Sequence, residues 1–92
     1  MSESLTYRVS AGVVTQSVAE ELVLLNNKTE MYYSLDQVGA TMFEALAKGS
    51  DVESVAQLVC EVFEDAELET VRADVAELVA NLVQRQLLEV VL

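Results

Sequence analysis

The sequence predicts an α+β fold, with strands in its first half and helices in its second. Two observations carry that reading: residues 5–35 follow the period of two expected of half-buried strands, and the residues after Asp36 follow the three- and four-residue spacing of amphipathic helices. A third observation joins the halves. Residues 30–46 run from a short aromatic strand through an aspartate corner directly into a helix.

In the first half, Leu5, Tyr7 and Val9 alternate with Thr6, Arg8 and Ser10, and Ala11 with Gly12 offers a bend. Residues 13–18 are expected to continue that first strand. The run 21–26 is more apolar and suits a central position. Asn26, Asn27, Lys28 and Thr29 then supply a hairpin turn, because asparagine tolerates the left-handed backbone that tight loops need. Residues 31–35 return as a third strand, which gives a three-stranded antiparallel meander with residues 30–34 at an edge. Tyr32 and Tyr33 are consecutive, so they face opposite sides of that strand, one toward the core and the other toward a surface.

In the second half, Asp36 is an N-cap, and Val38, Met42, Phe43 and Leu46 form the apolar stripe of a helix that Lys48 and Gly49 end. Ser50 and Glu53 have the spacing of a capping box. The second helix presents Val52, Val55, Ala56, Leu58, Val59, Val62 and Phe63 to a core, and an acidic link follows at Glu64, Asp65 and Glu67. A third helix spans about residues 69–86, with Val71, Val75, Leu78 and Leu82 on one line, flanked by Arg72, Ala76, Val79 and Val83. Its apolar sector is wider than one packing neighbour needs. Two arrangements fit: the sheet and the other helices cover the whole sector, or part of it forms a groove. Residues 87–92 are β-prone and suited to pairing or packing on the body.

Composition bounds the function. Ninety-two residues, 52% of them apolar, allow one domain, 1–92, with an economical core. A single cysteine, Cys60, rules out an internal disulfide and a thiolate metal cluster, and no run approaches the roughly 18 apolar residues of a membrane span, so a cytoplasmic protein without a membrane partner is expected. The net charge of −11 repels phosphate backbones and argues against nucleic acid as a partner.

Catalysis fails on inventory. There is no histidine to activate a serine or threonine, and Cys60 lies in an apolar helical stretch without a flanking cation. The paired carboxylates have no calcium-loop spacing, and the glycines at 12, 39 and 49 form no phosphate loop. No catalytic residue, metal or cofactor is expected. The pattern is that of a module that grips something.

The run Tyr32, Tyr33, Ser34, Leu35, Asp36, Gln37, Val38, Gly39, Ala40, Thr41, Met42, Phe43, Glu44, Ala45, Leu46 resembles the strand-to-helix signature of PqqD-like proteins, with Phe43 where tryptophan is commoner. The resemblance extends over about residues 5–92. It implies a winged helix-turn-helix fold with an N-terminal three-stranded antiparallel sheet and three helices. It also implies a precursor-peptide recognition element, which binds the leader segment of a ribosomally made, modified peptide without catalysing its modification. The leader would add as a strand beside residues 30–35, with its apolar side chains between that edge and the third helix. On this reading Glu30, Met31, Tyr32, Tyr33 and Ser34 shape the strand wall, and Val71, Val75, Leu78, Val79 and Leu82 the helix wall. Arg72 is assigned a leader carboxylate, and Glu30 or Asp74 a leader cation. A separate protease or other modifying enzyme would be the second partner, as in lasso-peptide clusters of antibiotic biosynthesis. Other readings are a PqqD-type chaperone for a radical enzyme of quinone-cofactor biosynthesis, an acidic winged-helix regulator, and an acidic carrier protein.

Overall fold

Gly12 breaks the N-terminal apolar run into two strands that belong to different sheets. The structure, a computed structural model, describes residues 5–91; Leu92, which the sequence places in the β-prone tail, lies outside the described residues. The chain runs β1 (Thr6–Val9), β2 (Val13–Val18), β3 (Glu21–Asn26), β4 (Tyr32–Leu35), α1 (Gln37–Ala47), α2 (Val52–Val62), α3 (Leu68–Gln84) and β5 (Leu88–Val91). Gly12 has φ +87, and a Cβ there would lie 3.1 Å from Lys28 Cγ, so the corner needs glycine on both counts.

Among the described residues five strands therefore form two antiparallel sheets, instead of the single three-stranded sheet expected. β2, β3 and β4 make the meander, in that order. The first strand does not continue into β2 but leaves to pair with the C-terminal tail, with Tyr7 opposite Val90 and Val9 opposite Leu88. The β-prone tail thus finds its partner at β1 and not at β4.

Asn26 ties the two sheets together. It is 3% exposed, and its Nδ2 donates to the carbonyl of Gln86 at 2.7 Å while its Oδ1 accepts from the amides of Lys28 and Thr29 at 2.8 and 3.3 Å. Its side chain so holds the β3–β4 turn closed and anchors the corner between α3 and β5. The left-handed residue of that turn is Glu30, φ +65, and not an asparagine.

The helices follow their caps. Asp36 Oδ1 accepts from the Gly39 amide at 2.8 Å, as the sequence predicts, and Gly39 lets the first turn of α1 close on Leu35, whose Cδ2 would lie 3.1 Å from a Cβ. At α2 the cap is Asp51, which accepts from the Ser54 amide at 2.8 Å, so the expected Ser50–Glu53 box does not form. The Glu53 carboxylate is instead engaged by Arg72 of α3, Nε at 2.6 Å and Nη2 at 3.1 Å. Leu58 and Val62, predicted for the core, are exposed on the far side of α2.

The core gathers Leu24 and Leu35 of the meander, Met42, Phe43 and Leu46 of α1, Val55 and Val59 of α2, Val75 and Leu82 of α3, and Leu87 with Leu88 of the tail. The apolar line of α3 is covered, which decides between the two arrangements the sequence left open: Val71, Val75, Leu78, Val79 and Leu82 are all buried.

Two outcomes follow. Asn26→Ala leaves the Gln86 carbonyl and the turn amides without a protein partner and should cost about 2 kcal/mol in urea denaturation, whereas Val62→Thr should change stability by less than about 0.5 kcal/mol. The Arg72 hydrogen bond holds Glu53 below the ordinary carboxylate value of 4.5. A depressed pKa contributes stability that is present above the ordinary value and lost as pH falls through the folded value. Thermal melts of wild type and Glu53→Gln should therefore differ at neutral pH and converge in acid.

Candidate functional site

β4 is the last strand of its sheet and pairs only with β3 among the described residues. The Asn26 amide bonds the Met31 carbonyl, so by the alternation of an antiparallel ladder the backbone groups of Tyr33 turn toward β3 and those of Tyr32 and Ser34 turn outward. An outward row of amides and carbonyls is a template for another strand.

A groove of about 410 Å³ lies along this edge. Tyr33, Ser34 and Leu35 of β4 and Asp36, Val38, Gly39 and Met42 of the corner and α1 line one side; Asp74, Glu77, Leu78 and Asn81 of α3 line the other. It continues in both directions. Toward α2, a cavity of about 390 Å³ shares Val38, Met42 and Asp74 and adds the apolar Val59, Phe63 and Val71. Toward the β3–β4 turn, one of about 430 Å³ shares Tyr33 and Ser34 and adds Glu30, Met31, Tyr32 and Arg85.

The two tyrosines divide as their alternation requires. Tyr33 lies opposite Leu24, half-buried, with the Arg85 guanidinium 5.0 Å from its ring centroid, a cation–π contact that steadies the ring at the groove. Tyr32 is 67% exposed and shares the outer sheet face with Leu25 and Val14. The Ser34 hydroxyl donates to Glu21 Oε1 at 2.6 Å and so fixes β4 to the start of β3.

The sequence-predicted strand wall is brought together: Glu30, Met31, Tyr32, Tyr33 and Ser34 follow one another along the β4 margin. The helix residues divide. Leu78 reaches the groove and Val71 the adjoining cavity, whereas Val75 and Leu82 have no exposure and Val79 is buried behind them. Arg72 points to α2 and is held by Glu53. Sequence reasoning missed Leu35, Asp36, Val38, Gly39 and Met42 as lining, and it missed Glu77 and Asn81 on α3 and Arg85 at its C-terminal cap. The helical spacing of Asp74, Leu78 and Asn81, i, i+4 and i+7, was the available signal for the α3 face.

No group of three or more potential metal ligands occurs among the described residues, and Cys60 is a half-buried free thiol. No helix among the described residues is long and apolar enough to cross a membrane.

Residues 21–88 match the family model of Coenzyme PQQ synthesis protein D (PqqD). The chain belongs to the PqqD family. The resemblance read from the strand-to-helix run is thereby established, and with it the character of a PqqD-like recognition element, an accessory protein and not an enzyme. Among solved structures, this PqqD-family chain is similar to TbiB1 in complex with the TbiA(beta) leader peptide, at 29% identity and a TM-score of 0.78, over 89% of this chain and 94% of that one. It shares its fold with a lasso peptide synthetase B1 complexed with the leader peptide, at 22% identity and a TM-score of 0.80, over 90% and 96% of the two chains. No curated protein sequence matches the chain.

Proposed function

We propose that the protein binds the leader segment of a ribosomally made precursor peptide as an added strand on β4 and delivers it to a leader protease or another modifying enzyme. One observation carries the reading: the outward amides and carbonyls of Tyr32 and Ser34 border a groove whose opposite wall is α3. Backbone pairing supplies affinity and register, and the side-chain cavities on either side supply selectivity. Membership of the family and the likeness to a chain solved with a leader peptide support it.

The working unit is a single recognition domain over residues 1–92, acting in the cytoplasm. The α2–α3 pair followed by a β strand fits the winged helix-turn-helix arrangement implied by the resemblance. Holding peptide and enzyme together raises the local concentration of substrate, which accounts for a binding protein without chemistry of its own. The family description favours a second reading, in which the peptide served is the precursor of a quinone cofactor and the enzyme a radical one.

The strand-addition step is tested at Ser34. Its amide faces away from β3, so Ser34→Pro removes a donor from the free edge without removing a ladder bond. Titration with a fluorescent leader peptide should show about tenfold weaker binding for Ser34→Pro and near wild-type binding for Ser34→Ala, which loses the hydroxyl but keeps the amide. Equal affinity of all three proteins, with unchanged melting curves, would remove strand addition.

A further inference from the structure

The groove is electrically asymmetric along its length. At the end near the β3–β4 turn, Arg85 and Glu30 both line the cavity, and their charges offset. At the other end, where β4 meets α1, Asp36, Asp74 and Glu77 line it with no basic residue among the lining. Asp36 has one oxygen engaged by the Gly39 amide. Asp74 and Glu77 are exposed, and neither takes part in an ion pair or hydrogen bond among the described residues. The basic residue on α3 and the one that caps its C-terminus are committed elsewhere, Arg72 to Glu53 and Arg85 to the ring of Tyr33.

Resting on the proposed function, we infer that the bound segment carries a lysine or arginine that lies between Asp74 and Glu77, so the α3 wall sets the position of a cation in the ligand. Asp74 and Glu77 are three residues apart on one helix face, beside Leu78, so an ammonium or guanidinium there meets both carboxylates while its methylene stem packs on the leucine. Burying part of that stem against Leu78 brings the charge out of bulk water, where attraction to two carboxylates counts for more than on an open surface. The wall also selects by exclusion, because an acidic side chain at this position meets the same two carboxylates.

The net charge of −11 attracts any cation at long range, so the test must separate a local contact from the general field. Glu61 and Glu64 are exposed and line none of the three cavities, and E61Q/E64Q changes the net charge as much as D74N/E77Q does. A random-peptide display library is selected on the full wild-type chain, and the enriched peptides are synthesised with and without their basic residue. Enriched peptides are expected to share one Lys or Arg at a fixed distance from an apolar residue. Replacing it by alanine should weaken binding about fivefold to wild type and to E61Q/E64Q, and leave binding to D74N/E77Q unchanged. Peptides that bind with no common cation, or an equal response of both double variants, would overturn the inference while leaving strand addition in place. Failure to enrich any peptide would overturn both.

Discussion

The free edge of β4 depends on where the C-terminal strand goes. β5 is apolar and β-prone, and β4 offers a bare edge; had the two met, no slot would exist. Instead Leu87 turns back under the core with no exposure, its carbonyl accepting from the Ser10 amide at 3.2 Å, and β5 lies along β1. Asn26 enforces this choice from inside the molecule, since its amide holds Gln86, the left-handed residue at φ +59 where α3 gives way to the tail. The same asparagine shapes the turn that leads into β4. One buried polar side chain thus directs the tail to one sheet and presents the free margin of the other.

With the tail removed from the margin, the rest of the site follows from packing. α3 packs on α2 and on β5, and its apolar line is consumed by the core. What it turns toward β4 is therefore its polar flank, Asp74, Glu77 and Asn81, with Leu78 between them. The apolar ground is supplied from the other side by Val38 and Met42 and, further along, by Val59, Phe63 and Val71. A slot with hydrogen-bonding groups along one wall, oily cavities at its floor and charge at one mouth suits an extended peptide better than a small molecule, which calls for an enclosed pocket.

What was legible in the sequence was local. The Asp36 cap, the stripe of α1 and the apolar line of α3 rest on residues a few positions apart and appear as read, whereas the α2 stripe holds only in part, with Leu58 and Val62 outside the core. The pairing of Val9 with Leu88 was not legible, because nothing in either stretch names its partner across the length of the chain. The capping box failed for a related reason: Asp51 stands next to Ser50, and Glu53 is drawn to Arg72 on another helix, a contact that spacing along α2 does not reveal. The assignment of a strand wall to residues 30–34 came with the family resemblance, and those residues do lie along the margin of β4. On α3 the spacing did not separate the residues that reach the groove from those that fill the core: Leu78 and Val71 line the cavities, whereas Val75, Val79 and Leu82 lie in the core and Asp74, Glu77 and Asn81 share the groove.

Amide hydrogen exchange followed residue by residue measures most directly whether β4 has an unoccupied edge that a peptide completes. In the free protein the Tyr32 and Ser34 amides should exchange rapidly while that of Tyr33, turned toward β3, is protected; adding a leader peptide should slow Tyr32 and Ser34. Slow exchange of both amides before any peptide is added, or no slowing once a peptide is bound, would show that it does not.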